Sequence, residues 1–445
     1  MNFSRAFRFT VAILCLGLAL PDASGAEPAS GTGPNIVIIN TDDLGYADLG
    51  CYGHPSIRTP HLDRMAAEGV RFTDFYAASS VCTPSRAALL TARYPLRSGM
   101  ANMKRRVLFP NSTGGIPESE VLLPELLKPR GYVTACVGKW HLGHLPRYLP
   151  TKHGFDEYFG IPYSNDMKPT PVLRNTETIE EPADQTTITR RYTEASVDFI
   201  KRSKDKPFFL YLAHTMPHIP LFASDDFKDK SPRGLYGDVV EELDWSVGKI
   251  LQTLKDEKLA EKTLVVFTSD NGPWLTKKQQ GGSAGLLREG KGSTWEGGQR
   301  VPAIAWWPGT IKPAVCRAIA CNMDLYPTAA ALAGVAMPND RDIDGVDLSP
   351  VLLGKAKAVR DAFFFYRDDK LWAVRKGPWK AHYVTKSAYG KEPAVVHERP
   401  LLFNLSVDPS EQFDVSESNA QVLADLAAVV QKHKATLKEV PNQLE

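Results

Sequence analysis

The chain has 445 residues, of which 43% are hydrophobic, enough for one large globular domain and a smaller second one. Its 53 Lys and Arg residues against 51 Asp and Glu leave a net charge of +2. That balance excludes the overall basic field of a nucleic-acid or anionic-membrane binder, so any anion preference must come from a local cluster.

Residues 1–26 read as a signal peptide. Arg5 and Arg8 form a positive end, Phe9 to Leu20 is an apolar run short of a bilayer span, and Pro21 breaks it. Ser24-Gly25-Ala26 supplies small residues for cleavage. The alternative is a membrane anchor. No later segment is long and apolar enough to span, so the expectation is an exported protein, secreted or periplasmic, with no stable membrane partner. Cys15 would leave with the signal. Cys51, Cys82, Cys136, Cys316 and Cys321 remain, an odd and scattered set without zinc spacing. Cys316 and Cys321 are near enough in sequence to pair, and the sparse count favours a bacterial periplasmic protein over a disulfide-rich animal one.

After a small-residue tether, Ala26 to Pro34, near-continuous apolar runs alternate with helical patterns. The strand-like runs are Asn35 to Asn40, Tyr132 to Val137, Pro207 to Leu212, Thr263 to Thr268 and Val301 to Trp306. Between them the spacing predicts helices over His61 to Glu68, Pro84 to Ala92, Leu122 to Lys128, Thr189 to Ser203 and Tyr236 to Glu257. This alternation predicts an α/β domain with a mostly parallel sheet covered on both faces, over residues 27–355. From 356 to 445 the pattern changes. Ala362 to Tyr366, Leu371 to Arg375 and Trp379 to Val384 are closely spaced strand-like runs, and Ala420 to Lys438 is a closing amphipathic helix. A small antiparallel sheet with one helix is expected there.

In open α/β sheets ligands bind beyond the carboxyl ends of the strands. Asp42 and Asp43 follow the first strand, Lys139 and His141 the second, His214 and His218 the third, Asp270 and Asn271 the fourth. Singly, each has an ordinary explanation as a turn former, cap or surface residue. Four such groups at equivalent ends point to one site. Asp42, Asp43, Asp270 and Asn271 offer only oxygen, which suits a hard cation, Ca²⁺ ahead of Mg²⁺. Arg86, Lys139, His141, His218 and Lys291 add the positive groups that a tetrahedral anion needs. Cys82 is the puzzle, because a lone exposed thiol is a liability in an oxidising compartment. Pro84 suits a helical first turn, so Cys82 falls by a helix N-terminus, with Arg86 on the same face.

Cys82-Thr83-Pro84-Ser85-Arg86, followed by Ala87-Ala88-Leu89-Leu90-Thr91, resembles the Cys-x-Pro-x-Arg signature of type I sulfatases. In that family the cysteine is oxidised to Cα-formylglycine, which would make Cys82 the precursor of an aldehyde. Thr41 to Tyr46 and Ser269 to Gly272 resemble the family's metal motifs; Gly138 to Gly143, Pro217 to Pro220 and Gly290 to Gly298 resemble its Lys-x-His, histidine and lysine elements. Within the family the likeness runs to the arylsulfatase A and N-acetylgalactosamine-6-sulfatase branch, through Gly160 to Asp166, Ala303 to Gly309 and His397 to Phe403.

The resemblance implies an alkaline phosphatase-like fold and a metal held by Asp42, Asp43, Asp270, Asn271 and position 82. It also implies Ser164 on the sulfate, His397 facing the substrate, and catalytic roles for Arg86, Lys139, His141, His218 and Lys291. It implies a formylglycine-generating maturation enzyme as a partner and a sulfated small molecule or glycan as substrate. The competing expectations are a phosphodiesterase or phosphonate monoester hydrolase of the same superfamily, and a silent sulfated-glycan-binding protein with Cys82 never matured. The run Lys104-Arg105-Arg106 reads either as a solvated loop or as a contact to a polyanionic glycan.

Overall fold

A computed structural model describes Met1 and residues 33–445. The signal-peptide expectation lies outside the described residues, apart from Met1. The strands of the larger unit are β1 (Asn35–Thr41), β2 (Val70–Phe72), β3 (Phe75–Tyr76), β4 (Val133–Gly138), β5 (Glu157–Gly160), β6 (Val172–Arg174), β7 (Glu177–Glu180), β8 (Phe208–Ala213), β9 (Thr263–Ser269), β10 (Ala303–Trp306), β11 (Ala314–Cys316) and β12 (Ala320–Cys321). Its helices are α1 (Pro60–Glu68), α2 (Cys82–Thr91), α3 (Leu123–Leu127), α4 (Ile188–Arg202), α5 (Leu235–Asp256), α6 (Glu296–Gln299), α7 (Leu325–Ala333) and α8 (Ser349–Leu352). Ten strands form one sheet in the order β11-β2-β10-β9-β1-β8-β4-β5-β6-β7. Its centre, β9-β1-β8-β4-β5, is parallel throughout. Antiparallel strands β10 and β6 extend it on either side.

The apolar runs predicted as strands are buried because both faces are covered. Along β1, Ile36 and Ile38 face one core with α2, α3 and α7, while Val37 and Ile39 face the other with α1, α4 and α5. Each fully buried side chain of this kind contributes about 1.5–3 kcal/mol of transfer free energy. Predicted bounds shift by a residue or two, as where the strand expected from Val301 begins at Ala303. The expected helix from Pro84 begins at Cys82 itself, so position 82 lies in the helix rather than before it. All five cysteines among the described residues are free thiols; Cys316 and Cys321 lie in different sheets and do not pair.

The smaller unit is an antiparallel sheet of β13 (Ala362–Arg367), β14 (Lys370–Lys376), β15 (Trp379–Thr385) and β16 (Val395–Asn404), covered by α9 (Ala420–Lys434). Gly377, at φ 54°, makes the tight turn between β14 and β15. Leu426 and Val430 of α9 pack on Val374, Ala381 and Leu402. The other side of the sheet joins the larger unit, where Phe363 and Phe365 meet Tyr76, Ala88 and Tyr94.

Candidate active site

Four adjacent parallel strands, β9, β1, β8 and β4, end on one edge, so the residues that follow them converge. The Asp270 N–H donates to Thr41 O at 3.0 Å, and the Asp42 N–H to Met216 O at 3.2 Å, tying the loops together. Asp43 and His141 turn the chain sharply, at φ 65° and 59°, a left-handed conformation that Asp and His tolerate better than most residues.

The convergent acids and bases pair in the dry interior. Lys139 is ion-paired with Asp42 and also donates to Ser164 Oγ at 3.0 Å. Lys291 Nζ lies 2.7 Å from Asp43 Oδ1. Arg86 donates from Nε to Asp270 Oδ2 at 2.9 Å and from Nη1 to Lys139 O at 2.9 Å. Its reach from the helix face is thus spent on carboxylates. Burial works against ionisation of Asp42, but Lys139, His218, Arg86 and Lys291 together hold its carboxyl well below the usual range. Burial, with the Asp42 charge added, raises Asp43 and pushes Asp270 up to about 7.

Cys82 stands among these groups. Its Sγ is 3.5 Å from Asp42 Oδ1 and 3.5 Å from Lys291 Nζ. Burial and the Asp42 charge push the thiol up despite Lys139 and Lys291, the reverse of what a thiolate nucleophile needs.

The two site histidines are fixed in opposite senses. His141 Nε2 is 2.9 Å from Leu108 O, which only accepts, so Nε2 carries the proton. Its Nδ1 is buried with no partner and is left as a lone pair. His218 Nδ1 is 3.0 Å from Asn165 Oδ1 and 2.6 Å from Ile219 O, both acceptors. That places its proton on Nδ1 and leaves Nε2, 3.7 Å from Asp43 Oδ2, facing the acids. Burial, then Lys139 for His141 and Lys291 for His218, holds both imidazoles well below their ordinary value.

A cavity of about 210 Å³ opens above, and Cys82, His141, Ser164, His218 and Lys291 line it. The structure does not bring His397 there. That residue lies on β16, where its Nε2 meets Thr385 Oγ1 at 2.9 Å. Instead Tyr389, from the loop between β15 and β16, lines the cavity, as do Trp274 and Arg106. The spacing of motifs did not single out Tyr389, Trp274 or Asn165. Trp274 follows Asn271-Gly272 so closely that its place beside the site was readable, whereas nothing local marks Tyr389. His214, third-strand neighbour of His218, faces Ser246 Oγ at 3.2 Å under α5 and does not line the cavity.

The residues present can hold a metal ion. Donor atoms of Asp42, Asp43, Cys82 and His218 lie within 4.8 Å of one another. Asn271 donates from Nδ2 to Asp43 Oδ1 at 2.7 Å, while its Oδ1 is buried without a partner. That amide oxygen and the carboxylates of Asp42, Asp43 and Asp270 supply hard oxygen donors beside the Cys82 thiol and the His218 imidazole.

Residues 34–335 match the Sulfatase family, and residues 358–445 match the C-terminal region of aryl-sulfatase. Arylsulfatase A of Homo sapiens is 44% identical over 425 residues, covering 86% of this chain and 83% of its own. N-acetylgalactosamine-6-sulfatase of Canis lupus familiaris is 44% identical over 478 residues, covering 97% and 90%. The solved structure of the PsFucS1 sulfatase from Pseudoalteromonas sp. superposes with a TM-score of 0.85 at 30% identity, over 93% of this chain and 92% of that one. The doubly covered sheet with its small antiparallel companion is the alkaline phosphatase-like architecture that the sequence implied. Similarity on this scale, reaching from the first strand of the large sheet to the helix over the small one, makes the chain a member of the sulfatase family, whose enzymes are sulfuric ester hydrolases.

Proposed function

We propose that the chain hydrolyses the sulfate ester of a carbohydrate alcohol, with Cα-formylglycine made from Cys82 as nucleophile and one divalent cation, Ca²⁺ ahead of Mg²⁺. One observation carries this reading: a buried thiol, kept protonated, stands between a carboxylate and an ammonium at the floor of a cavity. As a thiol it is poorly placed to act, and as a precursor it is where an anion would be attacked. The carbohydrate alcohol follows the relative named for N-acetylgalactosamine.

Formylglycine would supply, as its hydrate, one hydroxyl to attack sulfur and a second whose loss of a proton reforms the aldehyde as the Cβ–O bond to sulfate breaks. Asp42, Asp43, Asp270, Asn271 and position 82 would hold a cation, which would supply charge neutralisation and ease loss of the attacking hydroxyl's proton. The chain's own groups do the rest. Arg86 and Lys139 hold charge on the sulfuryl oxygens, and Ser164, bonded to Lys139, orients it. Asp270 assists deprotonation of the attacking hydroxyl. His141 Nδ1, a buried lone pair with no partner, takes the proton of the second hydroxyl. His218 protonates the leaving oxygen from Nε2. It does so as the imidazolium, whose formation the arriving anion favours against burial and Lys291. Lys291 is the second donor at that position.

We also propose that residues 1–26 direct export, to a secreted or periplasmic location where a maturation enzyme has already acted on Cys82. Among the described residues no helix is long and apolar enough to cross a membrane. The test is turnover of a panel of sulfated mono- and disaccharides, with matched phosphate esters and Ca²⁺ or Mg²⁺ supplied. Sulfate release from at least one sugar and little phosphate release is the expected result. Faster phosphate or phosphonate hydrolysis would replace this reading with the phosphoesterase one.

A further inference from the structure

The floor of the cavity is polar, and one side of its wall is aromatic. Trp274 and Tyr389 stand with ring centroids 5.5 Å apart and planes inclined by 30°, forming one aromatic surface that continues to the His218 ring, 5.5 Å from Trp274. Lys291 Nζ lies 4.4 Å from the Trp274 ring centroid, so the same indole borders both the reacting end and the wall. The indole Nε1 is buried and has no hydrogen-bond partner.

Tyr389 comes from the smaller unit and is held in place from both sides. Ala388 donates its N–H to Glu289 Oε2 at 3.4 Å and accepts on its carbonyl from Arg367 Nη2 at 3.0 Å. Gly292, at φ 89°, lets the ring approach, since a Cβ there would come within 3.3 Å of Tyr389 Cζ and 3.2 Å of Arg106 Nη1. Arg106 lines the same cavity and is steadied by Asp368 Oδ1 at 2.8 Å. Asp166 lines it too, exposed and with no partner for its carboxylate among the described residues.

We propose that Trp274 and Tyr389, with Arg106 and Asp166 on the same cavity, form the subsite for the alcohol part of the ester, and that it takes a single pyranose ring with free hydroxyls. The proposal rests on the sulfate-ester reading above. The electron-rich face of an aromatic ring attracts the polarised C–H face of a sugar. The exposed Asp166 carboxylate and the Arg106 guanidinium offer an acceptor and donors that sugar hydroxyls match and a hydrocarbon ring does not. The cavity, about 210 Å³, is below the roughly 300–1,000 Å³ of a drug-sized site, which suits one ring plus sulfate and not a fused polycycle.

The test measures binding by calorimetry, independently of turnover, for inorganic sulfate, for phenol, and for the free hexoses and N-acetylhexosamines whose sulfates are assayed. The proteins are the mature enzyme, Trp274→Ala, Trp274→Phe and Tyr389→Ala. In both alanine variants the best free sugar should bind about tenfold more weakly and KM for its sulfate should rise in step. Inorganic sulfate, which touches only the floor, should bind within about twofold of the parent, and Trp274→Phe should keep most of the sugar affinity. The proposal is overturned by unchanged sugar binding in both alanine variants, or by sugar and sulfate affinity falling together in both. Phenol binding more tightly than every sugar also overturns it, in favour of an aryl subsite. A parent enzyme that binds sugar through this wall yet turns over no sulfate ester would instead remove the catalytic reading and leave the subsite standing.

Discussion

Lys139 and His218 are separated by what each touches. Lys139 is locked between Asp42 and Ser164, where the proposed reaction puts the sulfuryl charge common to every substrate, whereas His218 is held through Nδ1 and turns Nε2 to Asp43, from where the proposed reaction has it serve the leaving oxygen. A proton donor matters most when the departing alcohol is a weak acid, as a sugar is and nitrophenol is not. His218→Ala should therefore lose about 10²- to 10⁴-fold in kcat/KM on a sugar sulfate and much less on nitrophenyl sulfate. Lys139→Ala should lose similar factors on both. Steady-state kinetics of the two variants on the two substrates decide it; equal losses for His218→Ala would leave that residue as a sulfate-binding group and Lys291 as the donor. At this scale the sequence was informative for residues at the strand ends, because the sheet's geometry fixes where they converge, although His214 there turns under α5 instead. It was silent on His141's tautomer, set by Leu108 O, and on Tyr389, carried in by a loop of the other unit. His397, expected from the resemblance to face the substrate, lies on the small sheet with its ring bonded to Thr385.

The small unit is fastened in two ways, one to the large unit and one within itself, each with its own consequence. The loop carrying Lys291 ends at Glu296, which Lys380 of β15 meets at 2.9 Å, and Lys380 also meets Glu411 at 3.0 Å. Burial alone would raise the Glu296 carboxyl; Lys380, Arg300 and Arg375 hold it down to about 2. Removing one partner of such a buried network leaves charge unpaired, so Lys380→Met should cost about 3–5 kcal/mol in urea denaturation. A loss below about 1 kcal/mol would show that the network does not join the units. Helix α9 is fastened by His433, stacked 3.9 Å from Phe364 and bonded to Tyr366 Oη at 2.8 Å. Burial, with Arg97 and Lys434, lowers this imidazole from 6.5 to about 4. Its neutral form is the one the fold accepts, so its contribution is complete above pH 6.5 and is lost as pH falls toward 4. His433→Gln should reduce the loss of stability between pH 7 and pH 4 by up to about 3 kcal/mol, while an unchanged pH slope would contradict the assignment. The long apolar strands and amphipathic helices were readable because burial on both faces leaves a continuous pattern. Short pieces such as β2, β6 and β11 were not, since three residues carry too little periodicity.

Across the whole molecule the site joins distant parts of the chain through charge. Asp42, Asp43 and Asp270 face Arg86, Lys139 and Lys291, a balanced set in which the lysines are occupied by carboxylates. A dication would free those lysines for an anion, so its binding energy should appear as stability. Chelation should lower the unfolding temperature and abolish activity together, with about 2.7 kcal/mol regained when Ca²⁺ is supplied at a hundredfold excess over its Kd. Recovery with Zn²⁺ and not with Ca²⁺ or Mg²⁺ would contradict the oxygen donor set. The central claim concerns position 82, and the mass of the peptide containing it tests that claim most directly. In enzyme made with a maturation enzyme, that peptide should have lost sulfur and two hydrogens and gained one oxygen, and the converted fraction should equal the active fraction. Full activity from protein whose Cys82 is unmodified would contradict it.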